Sequence, residues 1–228
     1  MLPAADRVSR SRASRRARLL ESLRGYRGAD VFNPWAALDP LDRANGGAAA
    51  RRRRLEQHLD CAAKFLLIGE AAGYQGCHFS GIAFTSERLI LEGAIPRVGS
   101  PTRLTRRLRP WSEPSATIVW GALHELGIAD RVVLWNAFPW HPHRAAEPYS
   151  NRRPTAPETR AGASLLRALL EHFDGATVVA VGVVAGAALR AVGLDAPVVR
   201  HPSMAGAGAF RAALTALVRR GSARDGAA

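Results

Sequence analysis

The chain has 228 residues, of which 47% are hydrophobic and 22% are charged, and these proportions are typical of a folded globular protein rather than a disordered one. Its 32 basic residues outnumber 19 acidic ones and give a formal net charge of +13, which favours a polyanionic partner. No apolar stretch is long enough to span a bilayer, and two cysteines are too few for a disulfide framework, so we expect a cytoplasmic protein without a membrane partner.

Residues 1–30 are predicted to form a basic N-terminal arm, since arginines are frequent there and large apolar side chains are few. The stretch from Ala13 to Leu23 is predicted to be partly helical, because its leucines share one helical face. Arginine suits phosphate, so the arm favours contact with nucleic acid. A GC-rich genome also favours arginine codons, but this does not explain the excess of basic over acidic residues.

Residues 31–228 are predicted to form a single α/β domain, because short apolar runs alternate with helical patterns. The predicted strands cover residues 64–69, 131–138, 176–182 and 196–203, and the predicted helices around them cover residues 115–126, 156–173, 185–192 and 210–219. Continuous apolarity indicates strands that are buried on both faces, as in a parallel sheet. Thr155 and Glu158 have the spacing of a capping box. The sequence therefore predicts a three-layer α/β/α sandwich with a central parallel sheet of about four strands.

Polar residues follow three of the predicted strands at the point where each strand ends. Glu70 follows the first strand, Asn136 lies near the end of the second, and His201 and Ser203 close the last one. Ligands of parallel sheets bind outside the carboxyl ends of the strands. We therefore expect these side chains to converge on one site.

Four segments carry a resemblance to a known family: GEAAGYQGCHFSG, LWNAFPWHPH, NRRPTAPET and HPSMAG. In this order they resemble the motifs of the uracil-DNA glycosylase superfamily, in particular the branch whose first motif begins Gly-Glu-Ala. The resemblance covers residues 64 to about 220. It implies a base excision repair enzyme that flips deoxyuridine out of DNA, hydrolyses its N-glycosidic bond, releases uracil and leaves an abasic site. We expect a monomer whose partner is uracil-containing DNA and which is associated with the nucleoid.

The resemblance also implies roles for individual residues. Glu70, Asn136 and His201 are the candidate catalytic residues, which position water, read the uracil edge and stabilise the departing base. Phe79 is predicted to stack on the flipped base, with Phe84 as the competing candidate. The other residues predicted to bind the substrate lie in the first and last motifs: Gly69, Ala71, Gly73, Tyr74, Gln75 and Ser203.

The chemistry of these residue types supports the roles. The amide of Asn136 can accept from N3–H and donate to O4 of uracil, a pattern that cytosine reverses. Negative charge develops on the departing base, and a donor such as His201 stabilises it. Structural roles stay open beside these: Asn136 tying a turn, His201 capping a strand end, Glu70 orienting the amides of its own loop and Phe79 filling the core.

Met204 follows the HPS motif and is predicted to be an apolar wedge that enters the base stack left by the flipped nucleotide. Ser203 and the amides around Gly73 and Gly76 suit phosphate oxygens. A plain flexible loop is the alternative for the segment around Met204, since glycine and alanine make up residues 205–209.

Three positions depart from the family pattern. Ala71 stands where the best-known branch has a water-activating aspartate, Ala72 replaces a proline, and Gly73 replaces a tyrosine that crowds the methyl group of thymine. The alternative hypothesis is therefore a non-catalytic nucleic-acid-binding module that keeps the pocket. An esterase that uses Ser203 and His201 is disfavoured, because no G-x-S-x-G elbow is present.

No cofactor and no metal are expected. The Gly-Glu-Ala branch often binds an iron–sulfur cluster through four cysteines, but this chain has only Cys61 and Cys77. Cys77 with His78, and His141 with His143, have no third ligand at a recognisable spacing.

Overall fold

The computed structural model describes residues 4–99 and 102–225, and the side chains of residues 12–99 and 102–220. The helices are α1 (Ala4–Arg24), α2 (Gly47–Leu59), α3 (Cys77–Ser80), α4 (Glu87–Leu91), α5 (Pro114–Glu125), α6 (Ala156–His172), α7 (Val183–Ala191) and α8 (Ala207–Asp225). The strands are β1 (Val31–Phe32), β2 (Phe65–Ala71), β3 (Val132–Phe138), β4 (His141–Pro142), β5 (Thr177–Val181) and β6 (Val198–Val199). A short 3₁₀ helix, Ala129–Arg131, leads into β3.

Four of the strands form a parallel sheet in the order β3-β2-β5-β6. The predicted central sheet is therefore confirmed in strand number and direction. Strands β1 and β4 pair antiparallel in a separate two-stranded sheet, which the sequence pattern did not reveal. Both are two residues long, so they carry too little periodicity to be recognised.

Side chains of β2 alternate between two hydrophobic clusters, one on each face of the sheet. Phe65 and Leu67 pack in one cluster with residues of α4, α5 and α8. Leu66 and Ile68 pack in the other with residues of α1, α2, α6 and α7. Helices thus cover both faces, which explains the continuous apolarity of the strands and confirms the three-layer α/β/α architecture.

The prediction of a basic arm over residues 1–30 is corrected in one respect, because α1 packs onto the domain. Leu19 and Leu23 are 3% and 0% exposed and belong to the cluster beneath α6. The Leu23 carbonyl accepts hydrogen bonds of 2.8 Å from both Asn33 Nδ2 and Trp140 Nε1. The side chains of residues 1–11, including the arginines predicted there, lie outside the described residues. The leucine stripe of this segment therefore outweighs its high charge in deciding where it lies.

The capping box at the start of α6 is confirmed. The Glu158 N–H donates to Thr155 Oγ1 at 3.4 Å, and the Thr155 N–H donates to Glu158 Oε2 at 2.7 Å. Arg152 forms two further hydrogen bonds of 2.7 Å with the Glu158 carboxylate, which lowers the pKa of that carboxyl. This arrangement anchors residues 151–155 beside the carboxyl edge of the sheet. None of the helices over the described residues is long and apolar enough to cross a membrane.

Candidate active site

A cavity of about 1170 Å³ lies at the carboxyl edge of the parallel sheet. Its walls come from the residues that follow β2, β3, β5 and β6, together with the start of α5. The strand register sets this convergence, since Gly69 pairs with Asn136 and Ile68 pairs with Ala180. Glu70, Asn136, His201 and Ser203, predicted to meet at one site, all line this cavity.

Asn136 is held at the base of the cavity by its strand. It is 4% exposed, and its backbone pairs with Gly69 across β2 and β3. A Cβ atom on Gly69 would lie 2.6 Å from Asn136 Oδ1 and 2.6 Å from Phe84 Cζ. Glycine is therefore required at position 69 so that the amide and the phenyl ring can both approach the end of β2.

Phe84, rather than Phe79, presents its ring to the cavity. Phe84 adopts a φ of 49°, an unusual left-handed conformation for a bulky residue, and its ring centroid lies 5.9 Å from that of His201. Phe79 is 0% exposed, stacks on Trp111 at a centroid distance of 5.0 Å, and does not line the cavity. Phe84, the competing candidate for base stacking, is therefore the phenylalanine that lines the cavity, and the stacking role itself stays a prediction.

His201 carries a defined proton arrangement. Its Nδ1 accepts a hydrogen bond from the Ser203 N–H at 3.2 Å and lies 2.8 Å from Ser203 Oγ. Burial lowers the pKa of His201, so the ring is neutral at neutral pH. A neutral imidazole that accepts at Nδ1 carries its proton on Nε2. The ring can thus donate one hydrogen bond through Nε2, and Ser203 orients the ring through Nδ1.

Glu70 lines the cavity but is occupied by an ion pair. Its Oε1 lies 3.3 Å from Arg153 Nε, and the Glu70 side chain is 32% exposed. Ala71, Gly73 and Gln75 also line the cavity and contribute backbone and one amide side chain to its rim. The carboxylate therefore serves at least to hold Arg153 over the cavity.

Tyr74 departs from its predicted place in the substrate pocket. Its ring packs edge-on against Trp111 at a centroid distance of 5.5 Å, and it is not among the residues that line the cavity. Its backbone N–H donates to Asn151 Oδ1 at 3.0 Å. Tyr74 therefore links the first-motif loop to the segment before α6, and its role in substrate binding stays a prediction.

Met204 stands at the rim, on the loop between β6 and α8. Its side chain is 88% exposed, and Met204 and Ala205 both have positive φ values, of 52° and 59°. The Met204 carbonyl accepts a hydrogen bond of 3.2 Å from Arg200 Nη2. The methionine side chain is therefore exposed at the rim of the cavity, and its role as a wedge stays a prediction.

A buried hydrogen-bond chain supports the first-motif loop from behind. His141 Nε2 donates to the Ser150 carbonyl at 2.8 Å, and His141 Nδ1 lies 2.8 Å from His78 Nδ1, within hydrogen-bond distance. His78 Nε2 then contacts Asp39 Oδ2 at 3.0 Å. Burial opposes ionisation of Asp39, yet hydrogen bonds from His78, the Leu41 N–H and Tyr149 hold its carboxyl pKa below the ordinary value. The two histidine motifs that resembled metal ligands are thus bonded to each other.

Sequence reasoning missed two residues at the site. Glu113, directly before α5, lines the cavity. Asn151, whose Oδ1 accepts from the Tyr74 N–H, also lines it. Asn151 opens the NRRPTAPET segment, so its motif was recognised without its role. Glu113 lies in a segment with no motif of its own, and only tertiary packing reveals its position.

Fold and cavity together define an α/β sandwich with a polar ligand site at the carboxyl edge of a parallel sheet, bordered by an aromatic ring, an amide and a neutral histidine. The family model described as the Uracil DNA glycosylase superfamily matches residues 56–219. The chain therefore belongs to the uracil DNA glycosylase superfamily, and this membership supports a DNA glycosylase.

Comparison with solved structures supports the fold. The crystal structure of wild-type Pedobacter heparinus SMUG2 is similar, with a TM-score of 0.62 and 16% sequence identity. The similarity covers 90% of this chain and 97% of that one. No curated protein sequence matches the chain.

Proposed function

We propose that the protein is a monofunctional uracil-DNA glycosylase, which hydrolyses the N-glycosidic bond of deoxyuridine in DNA and leaves an abasic site. The observation that carries this proposal is the convergence of Phe84, Asn136 and His201 on one cavity. Gly69 lets the ring and the amide approach the same strand end, and the ring lies 5.9 Å from the His201 imidazole. We further propose that the enzyme works as a monomer in the cytoplasm, bound to the nucleoid through DNA.

The three side chains match the chemistry of a flipped uracil. A base within a duplex is inaccessible, so the nucleotide must leave the stack and find a new stacking surface in the enzyme. Phe84 supplies that surface. Asn136 offers one acceptor and one donor to N3–H and O4, an arrangement that uracil satisfies and cytosine does not.

His201 stabilises the leaving group. When the bond between C1′ and N1 breaks, its electron pair leaves with N1 and spreads over the carbonyl oxygens of uracil. A neutral imidazole with its proton on Nε2 can donate a hydrogen bond to O2 of that anion. Its hydrogen bond strengthens as charge develops, and this is the property that lowers the barrier.

The charge of the protein suits a DNA partner. The formal net charge is +13, and Arg152, Arg153 and Arg200 line the cavity itself. Phosphate contacts from such residues hold the strand in register, while the cavity reads the base. Met204 is the proposed wedge that fills the vacated stack, and the hydroxyl of Ser203 suits a neighbouring phosphate.

One observation favours a second candidate function. Ala71 brings no polar group to the place where a water-activating aspartate is expected, and Glu70 is paired with Arg153. A module that binds flipped nucleotides without cleaving them is consistent with that loss.

A single assay separates the two candidates. Purified protein is incubated with a labelled oligonucleotide that contains one uracil, alkali is added, and strand cleavage at the abasic site is measured. The glycosylase predicts cleavage at the uracil position and none in matched oligonucleotides with thymine or cytosine there. Tight binding of the uracil oligonucleotide without any alkali-labile site would instead establish the binding module and reject the enzyme.

A further inference from the structure

Glu113 is a carboxyl group that lines the cavity and has no part in the chemistry of Phe84, Asn136 and His201. Its backbone precedes α5, but its carboxylate does not cap that helix. Instead, Oε1 accepts a hydrogen bond of 2.9 Å from the Ser115 hydroxyl. The carboxyl group is thereby held toward the loop of the first motif.

Two glycines of that loop make room for the carboxyl group. A Cβ atom on Gly76 would overlap Glu113 Oε2, and a Cβ atom on Gly73 would lie 3.8 Å from Glu113 Oε1. Oε2 is shielded from solvent, and none of the described residues forms a hydrogen bond with it. An unpaired buried oxygen is costly, so its presence beside a cavity points to a group that is kept for a ligand or for a reaction.

The ionisation of Glu113 suits proton transfer. Burial raises its pKa to about 7, although the hydrogen bond from Ser115 opposes the rise. A general base is most effective when its pKa lies near the working pH, because it is then both sufficiently ionised and sufficiently basic. Glu70, the carboxylate predicted for this role, is already engaged with Arg153.

Resting on the proposed uracil-DNA glycosylase function, we propose that Glu113 is the general base that activates the hydrolytic water. The ionised carboxylate takes one proton from water while the water oxygen bonds to C1′. The bond between C1′ and N1 breaks, and its electron pair leaves with uracil as an anion that His201 stabilises. The amide of Asn151 lies beside the same glycine, since a Cβ atom on Gly73 would lie 3.6 Å from Asn151 Oδ1. This amide gives the water a second hydrogen-bonding group.

The titration of Glu113 can be distinguished from the titrations of the groups around it. Cys77 of α3 interacts electrostatically with it, but burial raises the pKa of that thiol, so the thiol stays protonated through neutral pH. Burial lowers the pKa of His201, which therefore titrates on the acid side of Glu113. The other charged residues that line the cavity are Glu70, Arg152, Arg153 and Arg200.

The test is single-turnover uracil release by Glu113→Gln, measured from pH 5.5 to 9 with enzyme in excess over the oligonucleotide. The variant keeps the shape of the side chain but cannot take a proton. We expect its plateau rate to fall by about 100-fold to 10,000-fold, the usual contribution of a general base. The wild-type rate should rise with pH to a midpoint near 7, and this limb should vanish in the variant. Glu125→Gln changes an exposed carboxylate on the same helix and should leave the rate unchanged.

The outcomes separate this inference from the proposed function. A wild-type protein that does not release uracil overturns both. An active wild type whose Glu113→Gln variant keeps its rate and its pH limb overturns the role of Glu113 alone. Should Glu113→Gln fail to give a normal circular dichroism spectrum, Glu113→Asp replaces it. That variant should keep the pH limb at a reduced rate, and a rate equal to the wild type would reject the inference.

Discussion

The two walls of the cavity differ sharply in how they are held. We call residues 69–86, which begin at the end of β2, the inner wall, and residues 200–206, after β6, the outer loop. From Gly76 to Ser86 every residue of the inner wall is buried, whereas Ser203, Met204 and Ala205 of the outer loop are exposed. The inner wall is therefore the more deeply buried of these two segments.

Hydrogen bonds account for the difference. The inner wall is tied to distant parts of the chain, since Trp35 Nε1 donates to the Gly81 carbonyl at 3.2 Å and Trp120 Nε1 donates to Thr85 Oγ1 at 3.0 Å. The bonds of the outer loop are local, such as that between Arg200 and the Met204 carbonyl. Under the proposed function, this difference predicts that the buried wall holds the base and that the exposed loop contacts DNA. His201 is the exception, because it belongs to the outer loop and is proposed to stabilise the leaving base.

The largest effect is expected from His201→Ala. Loss of the donor should lower single-turnover uracil release by about two orders of magnitude or more, since one such hydrogen bond is worth about 2.7 to 4 kcal/mol of barrier. Binding of uncleaved DNA should change little, because this interaction grows only as charge develops. Gel-shift affinity and release rate are measured on the same oligonucleotide. A variant that releases uracil as fast as the wild type would exclude the outer loop from the chemistry.

Asn136→Asp tests the end of β3, where Asn136 pairs with Gly69 of the inner wall. The carboxylate places an oxygen opposite O4 of uracil with no proton between them, a buried mismatch of about 1 to 3 kcal/mol or more. Uracil release should fall steeply, and a small activity on cytosine should arise, because oxygen accepts from the cytosine amine. Single-turnover rates on uracil and cytosine oligonucleotides are compared for both proteins. Unchanged uracil release would show that Asn136 only shapes the strand end.

The fold and part of this site could be predicted from the sequence because the signals are local. Each strand of the parallel sheet is a continuous apolar run, and parallel topology brings Asn136 and His201 to one edge without further information. The choice between Phe79 and Phe84 was not local. Phe79 is fully buried and stacks on Trp111, whereas Phe84, 7% exposed and with a left-handed backbone, lines the cavity, and only the folded chain shows this difference.

Glu113 and α1 show the same limit. Glu113 reaches the cavity only because α5 packs beside the first-motif loop, a contact between segments far apart in the chain. The segment of α1 carries many arginines, so its composition resembles an arm, while its leucine stripe docks it on the domain. The hydrophobic pattern within a segment predicts whether it forms a helix or a strand. Which other segment it packs against is set by the whole fold.

Phe84→Ala and Phe79→Ala form a matched pair within the inner wall. Stacking of a base on an aromatic ring is worth about 1 to 3 kcal/mol, so Phe84→Ala should weaken binding of uracil DNA by about 5-fold to 150-fold. Removal of the fully buried Phe79 ring creates a cavity and should destabilise the protein by about 3 to 5 kcal/mol. Thermal unfolding and DNA affinity are measured for both. A larger affinity loss in folded Phe79→Ala than in Phe84→Ala would reverse the assignment.

Met204→Ala should have the smallest effect and is confined to the outer loop. An 88% exposed side chain contributes little to folding, so the free energy of unfolding should change by less than about 0.5 kcal/mol. A wedge is needed only where a base leaves an intact stack. Release from single-stranded DNA should therefore equal the wild-type rate, while release from duplex DNA should fall by several-fold.

The size of the effect of Met204→Ala should depend on the base opposite uracil in the duplex. Extruding uracil from a U·A pair costs more than extruding it from a U·G mismatch, so the variant should lose more activity on U·A than on U·G. Leu38→Ala is the matched control, because Leu38 is also an exposed apolar residue, 77% exposed, and does not line the main cavity. Leu38→Ala should leave the rate of uracil release unchanged on single-stranded, U·A and U·G substrates. If Met204→Ala slows single-stranded and duplex substrates equally, the methionine shapes the loop around His201 instead of entering DNA, and the division between the two walls does not hold at this residue.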